Sequence, residues 1–196
     1  MDTFSAYVDD YYRQFIEVLS NFDRTPLLDI LDLLTRLSAN GGTLWTAGNG
    51  GSAAIANHSV CDLTKGTFRP GGGVRCVSLS ANAPLLTAIG NDIRYEEVFS
   101  KQLEYYVNSH DAVLLVSSSG NSSNVIHACE YAKLKGVPTI AFVGFDGGKL
   151  KNIADYCVWI PSRNYGIVED THQSLIHVLS QFMANAPGIS AKGTVV

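Results

Sequence analysis

The sequence predicts an α/β protein, a three-layer sandwich on a mostly parallel five-stranded sheet, preceded by an N-terminal helical arm. Two observations carry that expectation. The first is a set of short, continuous apolar runs, mostly β-branched or aromatic: TLWTA (43–47), VRCVSL (74–79), AVLLVS (112–117), TIAFVG (139–144) and YCVWIP (156–161). Strands of this kind lack the alternation of a sheet that faces water on one side, so both of their faces are covered. The second is that the segments between them, 52–64, 94–107, 122–135 and 148–154, are long enough for crossover helices, as parallel pairing requires.

The arm comes first in the chain. Phe4, Val8, Tyr11, Phe15, Val18 and Leu19 recur at three and four residues with acids and Arg13 between them, which is the stripe of an amphipathic helix. A second helix starts at Pro26, runs through LLDILDLLTRL and stops at Gly41-Gly42. A last helix is expected from Val168 to Met183, followed by a loose tail from Pro187. With no linker or repeat to divide it, the chain reads as one domain over 1–186, with the arm at 1–40, the α/β core at 43–183 and the tail at 187–196.

Composition narrows the function. Only 16% of residues are charged against 46% hydrophobic, and the formal net charge is −4, so there is no basic field to hold nucleic acid. Low charge with ample apolar surface predicts burial against further copies of the same chain. Cys61, Cys76, Cys129 and Cys157 are scattered without a C-x-x-C pair, as core residues of a reducing compartment are. The acidic start MDTFSAYVDDYY is unlike a secretory signal, and no run approaches a membrane span. A cytoplasmic protein with no membrane partner is expected.

Chemistry is sought where strands run into helices, because ligands of parallel sheets bind at the carboxyl ends of the strands. Two such loops are unusual. After the first strand comes Gly48-Asn49-Gly50-Gly51-Ser52, where backbone can approach a ligand closely. After the third comes Ser117-Ser118-Ser119-Gly120-Asn121-Ser122, which sets four hydroxyls at a helix start, a cradle for a phosphate. The residues alone leave a polar turn with a serine N-cap open for the second loop. For the first, Gly48, Gly50 and Ala53 also fit a dinucleotide fingerprint, which is weakened because no acid occurs between Val74 and Pro84. His58 and Asp62 lie four apart on one helix face and can share a metal or a proton. Glu169, His172 and His177 form a second group in the last helix, and Asn91-Asp92 follows the run LLTAIG as a helix terminus. For each of these the alternative is a satisfied polar pair or a cap.

In order and spacing, AGNGGSA (47–53), LLTAIGND (85–92), SSSGNSSNV (117–125), DGGKL (146–150) and HQSLIH (172–177) resemble the phosphoheptose isomerase family of the sugar isomerase (SIS) domain superfamily. The resemblance covers nearly the whole chain, to about Met183. It implies an SIS, flavodoxin-like sheet and an aldose–ketose isomerase that converts sedoheptulose 7-phosphate to D-glycero-D-manno-heptose 7-phosphate through a cis-enediol, for nucleotide-activated heptose. By position it implies a phosphate cradle on Ser117, Ser118, Ser119 and Ser122, and a sugar-binding loop on Asn49, Gly50, Gly51 and Ser52. Asn91, Asp92 and Glu169 join the substrate site, and Asp62 and His177 are the catalytic pair. It further implies one zinc ion per subunit on His58, Asp62, Glu169 and His177, and a homotetramer with active sites at subunit interfaces.

Three positions depart from the family pattern: Asp62 replaces Glu, Glu169 replaces Gln, and Thr64-Lys65-Gly66 stands for Thr-Gly-Arg. Two other functions are therefore weighed. One is a non-catalytic SIS adaptor for a protein partner such as a replication initiator, which has no need of the retained serine cradle and catalytic positions. The other is an isomerase of a different sugar phosphate. A regulatory sugar-phosphate sensor is disfavoured by the charge and by the lack of a DNA-binding segment.

Overall fold

The computed structural model describes residues 3–70 and 72–185, so the predicted tail at 187–196 lies outside the described residues. Within them all five expected strands form: β1 (Thr43–Gly48), β2 (Arg75–Ser78), β3 (Ala112–Ser117), β4 (Thr139–Val143) and β5 (Tyr156–Trp159). Every pairing is parallel and the order is β2-β1-β3-β4-β5. The order reverses between β1 and β3, which opens a crevice at their carboxyl ends.

Period-two alternation divides the core into two layers. Leu114 and Val116 of β3 and Ile140 and Phe142 of β4 pack on one face, with Ile30, Leu34 and Leu37 of α2 (Pro26–Ala39) and Val168, Leu175 and Leu179 of α8 (Tyr165–Asn185). Val113, Leu115, Ala141 and Val143 face the other way, onto Leu103 of α5 (Ser100–Tyr106), Val125 and Cys129 of α6 (Ser123–Leu134) and Leu150 of α7 (Gly148–Ile153). Six residues of α2 are buried; Ile30, Leu33, Leu34 and Leu37 recur at the spacing of one helix face, and Leu31 and Asp32 widen it. Each such side chain contributes about 1.5–3 kcal/mol by burial. No residue of α1 (Thr3–Asn21) is buried.

Three elements differ from the sequence expectation. The helix expected at 52–64 is α3 (Gly51–Val60) continued by a π-helical turn, Cys61–Lys65. The helix expected at 94–107 is a 3-10 turn, Tyr95–Glu97, followed by α5. Helix α4 (Ala83–Asp92) was hidden in an apolar run, although Pro84 stands in its first turn and the Asn82 side chain accepts the Leu85 N–H at 3.2 Å. The cysteines are free, and burial pushes the Cys76 thiol up to about 12 and those of Cys129 and Cys157 up to about 11, so these three are inert packing groups; Cys61, expected in the core, is exposed because the π-helical turn that begins there carries it to the surface. Among the described residues, no helix is long and apolar enough to cross a membrane.

Candidate active site

At the crevice, β1 delivers Asn49, Gly50, Gly51 and Ser52, and β3 delivers Ser117, Ser118, Ser119 and Ser122, onto one cavity of about 280 Å³ that Tyr165 and Glu169 close from α8. Gly50 has φ +55°, a backbone that side chains disfavour. Gly51 lets the Glu169 carboxylate rest on the loop: a Cβ there would stand 2.2 Å from Glu169 Oε2 and push that carboxylate aside.

The hydroxyls of the cradle are not equivalent. Ser117 Oγ accepts the Gly120 N–H and Ser119 Oγ accepts the Asn121 N–H, both at 3.2 Å, so these two brace the loop. Ser118 Oγ is buried without a hydrogen-bond partner, and Ser122, at the N-cap of α6, makes no side-chain capping bond. An ordinary serine N-cap spends its oxygen on the helix. Here that oxygen is left for a ligand, beside the positive end of the α6 dipole.

Asn49 holds the two loops together. Its side-chain N–H donates to Asn124 Oδ1 at 2.8 Å, the Asn124 amide donates back to Asn49 Oδ1 at 3.0 Å, and the Tyr95 hydroxyl donates to the same oxygen at 2.9 Å. The sequence argument missed Asn124 and Tyr95. The only signal available was the position of Asn124 just past the serines.

From the crevice, α3 runs alongside α8, and the two helices bring His58, Asp62 and His177 together. Asp62 Oδ2 stands 3.2 Å from His58 Nε2 and 3.4 Å from His177 Nε2, and the two imidazole nitrogens are 3.4 Å apart. Asp62 Oδ2 is buried and accepts no well-formed hydrogen bond. A nearly equilateral triangle of N, N and O fits a cation: tetrahedral zinc at about 2.0–2.1 Å from its ligands sets neighbouring ligand atoms roughly 3.4 Å apart. Asp62 sits in the π-helical turn, a distortion that re-aims side chains and recurs at functional sites.

Other predicted residues fall elsewhere. The Glu169 carboxylate is not one of the three corners of this triangle; it lies over Gly51 and lines the serine cavity, and it also lines the neighbouring cavity with His58, Gln173 and His177. Burial raises its pKa, helped by the negative charge of Asp170. Asn91 and Asp92 line neither site within this chain: they are exposed at the end of α4, with the Asn91 amide donating to Asp92 Oδ1 at 2.8 Å. His172 points the opposite way from His177, into the core against Phe142. Burial pushes its pKa down to about 4, and the Val143 main chain opposes that shift without reversing it. Gln173, four residues before His177 on the same face, was missed; its amide nitrogen is 3.0 Å from His177 Nε2.

The profile of the SIS domain family matches residues 10–144 of the chain. The phosphoheptose isomerase of Helicobacter pylori (strain P12) is 40% identical over 147 residues, which are 75% of this chain and 77% of that protein. The chain belongs to the phosphoheptose isomerase family of SIS domains. Its likeness to the phosphoheptose isomerase of Aneurinibacillus thermoaerophilus extends to 188 residues at 32% identity, covering 91% of this chain and 95% of that one. The solved phosphoheptose isomerase of Neisseria gonorrhoeae superposes with a TM-score of 0.86 at 29% identity, covering 94% of this SIS domain and all 100% of its counterpart. The family match thus takes in the glycine loop, the serine cradle and the π-helical turn.

Proposed function

We propose that this SIS domain interconverts sedoheptulose 7-phosphate and D-glycero-D-manno-heptose 7-phosphate, supplying an activated-heptose route in the cytoplasm. One observation carries the reading: a phosphate cradle with uncommitted hydroxyls opens, past Glu169, onto a cluster of one carboxylate and two imidazoles. The phosphate sits on Ser118, Ser119 and Ser122 at the start of α6, with the sugar running along the Gly50-Gly51 backbone.

Asp62 takes the proton from C1 of the ketose while His177 protonates the C2 carbonyl oxygen, giving a cis-enediol. Neutral His177 then takes the O1 proton while Asp62 returns its proton to C2, which leaves the aldose and both residues in their starting states. The site fits zinc, held by His58, Asp62 and His177; when bound it would polarise the carbonyl. A carboxylate on a cation is a weaker base, so proton transfer by Asp62 is strongest when its second oxygen stays free. Lys65 lines a further cavity with Asp62 and His177, where it meets the far end of the substrate and tunes which sugar is accepted.

A homotetramer completes the proposal. Helix α1 is amphipathic yet buries no residue, leaving Tyr7, Tyr12 and Ile16 exposed, and a neighbouring copy covers that face. The exposed Asn91-Asp92 pair is then available to a site shared between copies.

The test is a proton NMR time course with sedoheptulose 7-phosphate on metal-stripped protein, repeated with added zinc. Appearance of the aldose anomeric signal supports the reading, and the comparison reports how far turnover depends on zinc. Silence in both conditions overturns it in favour of another sugar phosphate or a non-catalytic role.

A further inference from the structure

Asn49 commits almost all of its side chain inside the protein. An amide side chain offers two acceptor positions on oxygen and two N–H donors. Both acceptor positions of Asn49 Oδ1 are taken, by the Asn124 amide at 3.0 Å and the Tyr95 hydroxyl at 2.9 Å, and one N–H goes to Asn124 Oδ1 at 2.8 Å. A sugar hydroxyl arriving as a donor therefore meets no free acceptor on this side chain. What the loop keeps for a ligand is its Gly50-Gly51 backbone, and Asn49 holds that backbone in place.

The partner in this pair belongs to the frame of the cradle. Asn124 is 2% exposed and stands in the first turn of α6, just after Ser122 and Ser123. His127 follows on the same face of the helix. Its Nδ1 is 3.2 Å from Glu97 Oε1, which also accepts the Arg94 guanidinium at 2.6 Å, so the 3-10 turn that bears Tyr95 is fixed to α6 as well. Helix α6 thus begins at the phosphate cradle and carries, in its opening turns, both the clamp on the glycine loop and the support behind that clamp.

We propose that Asn124 is a positioning residue for isomerisation: its reciprocal amide pair with Asn49 sets the span between the phosphate seat and the sugar-binding backbone. That span decides where C1 and C2 come to rest before Asp62 and His177. The proposal rests on the isomerase reading. Ser117 and Ser119 brace the cradle from within, so loss of the pair lets the glycine loop drift without disturbing the phosphate seat. A displacement of about 1 Å between substrate and catalytic groups lowers a rate by up to about 100-fold. Asn124 therefore acts on kcat, whereas a cradle hydroxyl acts on KM.

Three readouts on the full-length protein test this. They are kcat with sedoheptulose 7-phosphate, affinity for inorganic phosphate from a phosphorus NMR titration, and hydrogen exchange of the Ala53 and Ala54 N–H groups, which donate to the Asn49 and Gly50 carbonyls. Asn124→Ala is expected to lower kcat by about 10- to 100-fold, keep phosphate affinity within about twofold and speed that exchange. Asn49→Ala should behave alike, and the double variant should match Asn49→Ala to within about twofold, because the two residues act as one unit. Tyr95→Phe, at an exposed position, removes one donor and should lower kcat by about 2- to 5-fold. If circular dichroism shows that Asn124→Ala does not fold, Tyr95→Phe decides, and an unchanged kcat there overturns the proposal. Unchanged kcat and exchange in Asn124→Ala, a loss of phosphate affinity equal to the loss of kcat, or additive losses in the double variant would each overturn it as well. Wild-type protein that leaves sedoheptulose 7-phosphate unchanged overturns the functional reading instead, and the clamp is then judged on exchange and phosphate affinity alone.

Discussion

At the amino-terminal edge of the sheet, Asp111 accepts the main-chain N–H groups of Thr43 and Asn108 and the Trp45 indole N–H, all at 2.8 to 2.9 Å. Asp155 likewise accepts both the N–H and the hydroxyl of Thr139, at 2.9 and 2.7 Å. Burial works to raise the Asp155 pKa, but the hydrogen bonds from Lys133 and Thr139 leave it lowered. Around the crevice and the histidine cluster the arrangement is reversed: Ser118 Oγ and Asp62 Oδ2 are buried with no hydrogen bond. Leaving such a group unpaired costs about 1–3 kcal/mol. The two nitrogens of His172 are unpaired as well, but in the core; what sets Ser118 and Asp62 apart is that each unpaired group belongs to a residue lining a cavity, where something outside the chain can reach it.

The largest effect should come from the unpaired side of that contrast. Asp62→Asn is expected to lower kcat by about 10³-fold or more, with a melting temperature close to wild type. Steady-state rates and a melt on the same preparation check it, and near-normal turnover would remove Asp62 from the chemistry. The mirror experiment is Asp111→Ala, which strands three donors at once. It should cost about 3–5 kcal/mol of stability, with kcat at 25 °C preserved in the fraction that remains folded.

His172 gives a pH-dependent version of the comparison, since it is a buried base with no ligand to await. Its folded pKa of about 4 lies below the ordinary value of 6.5, so between those values the unfolded chain binds the extra proton. Stability is complete above about pH 6.5 and falls as pH drops towards 4, by on the order of 3 kcal/mol from this one group. Urea unfolding from pH 7 to pH 4 should show that slope, and His172→Phe should flatten it. The smallest effect belongs to Ser118→Ala. Removing an unpaired hydroxyl should leave stability unchanged or slightly higher, while KM for the sugar phosphate rises about 3- to 10-fold, roughly 1 kcal/mol of lost binding. A drop in stability with KM unmoved would make Ser118 a structural residue after all.

The strands were readable because a segment buried on both faces must be apolar throughout, whatever the neighbouring strands do. The two loops at the crevice were readable from their place: a glycine or serine run directly after such a strand lies where parallel sheets bind ligands, although the residues alone also fit a polar turn. Helix α4 was obscured because its residues, LLTAIG, are as apolar as a strand, and only the Asn82 and Pro84 start signals mark it. The position of Gln173 was obscured for another reason. Its four-residue spacing from His177 is in the sequence, but nothing there says which of Glu169, His172 and Gln173 faces α3.

By itself, the sequence determined the alternation of buried strands and crossover helices, the two ligand loops and the pairing of His58 with Asp62, because each depends on residues close together in the chain. Tertiary structure alone decided that His177 meets that pair, that Glu169 seats on Gly51 and that Asn91 and Asp92 stay at the surface. The physical reason is rotation. A helix advances about 100° per residue, so its period fixes which residues share a face, but the direction of that face is set by packing against elements more than a hundred residues away in the chain.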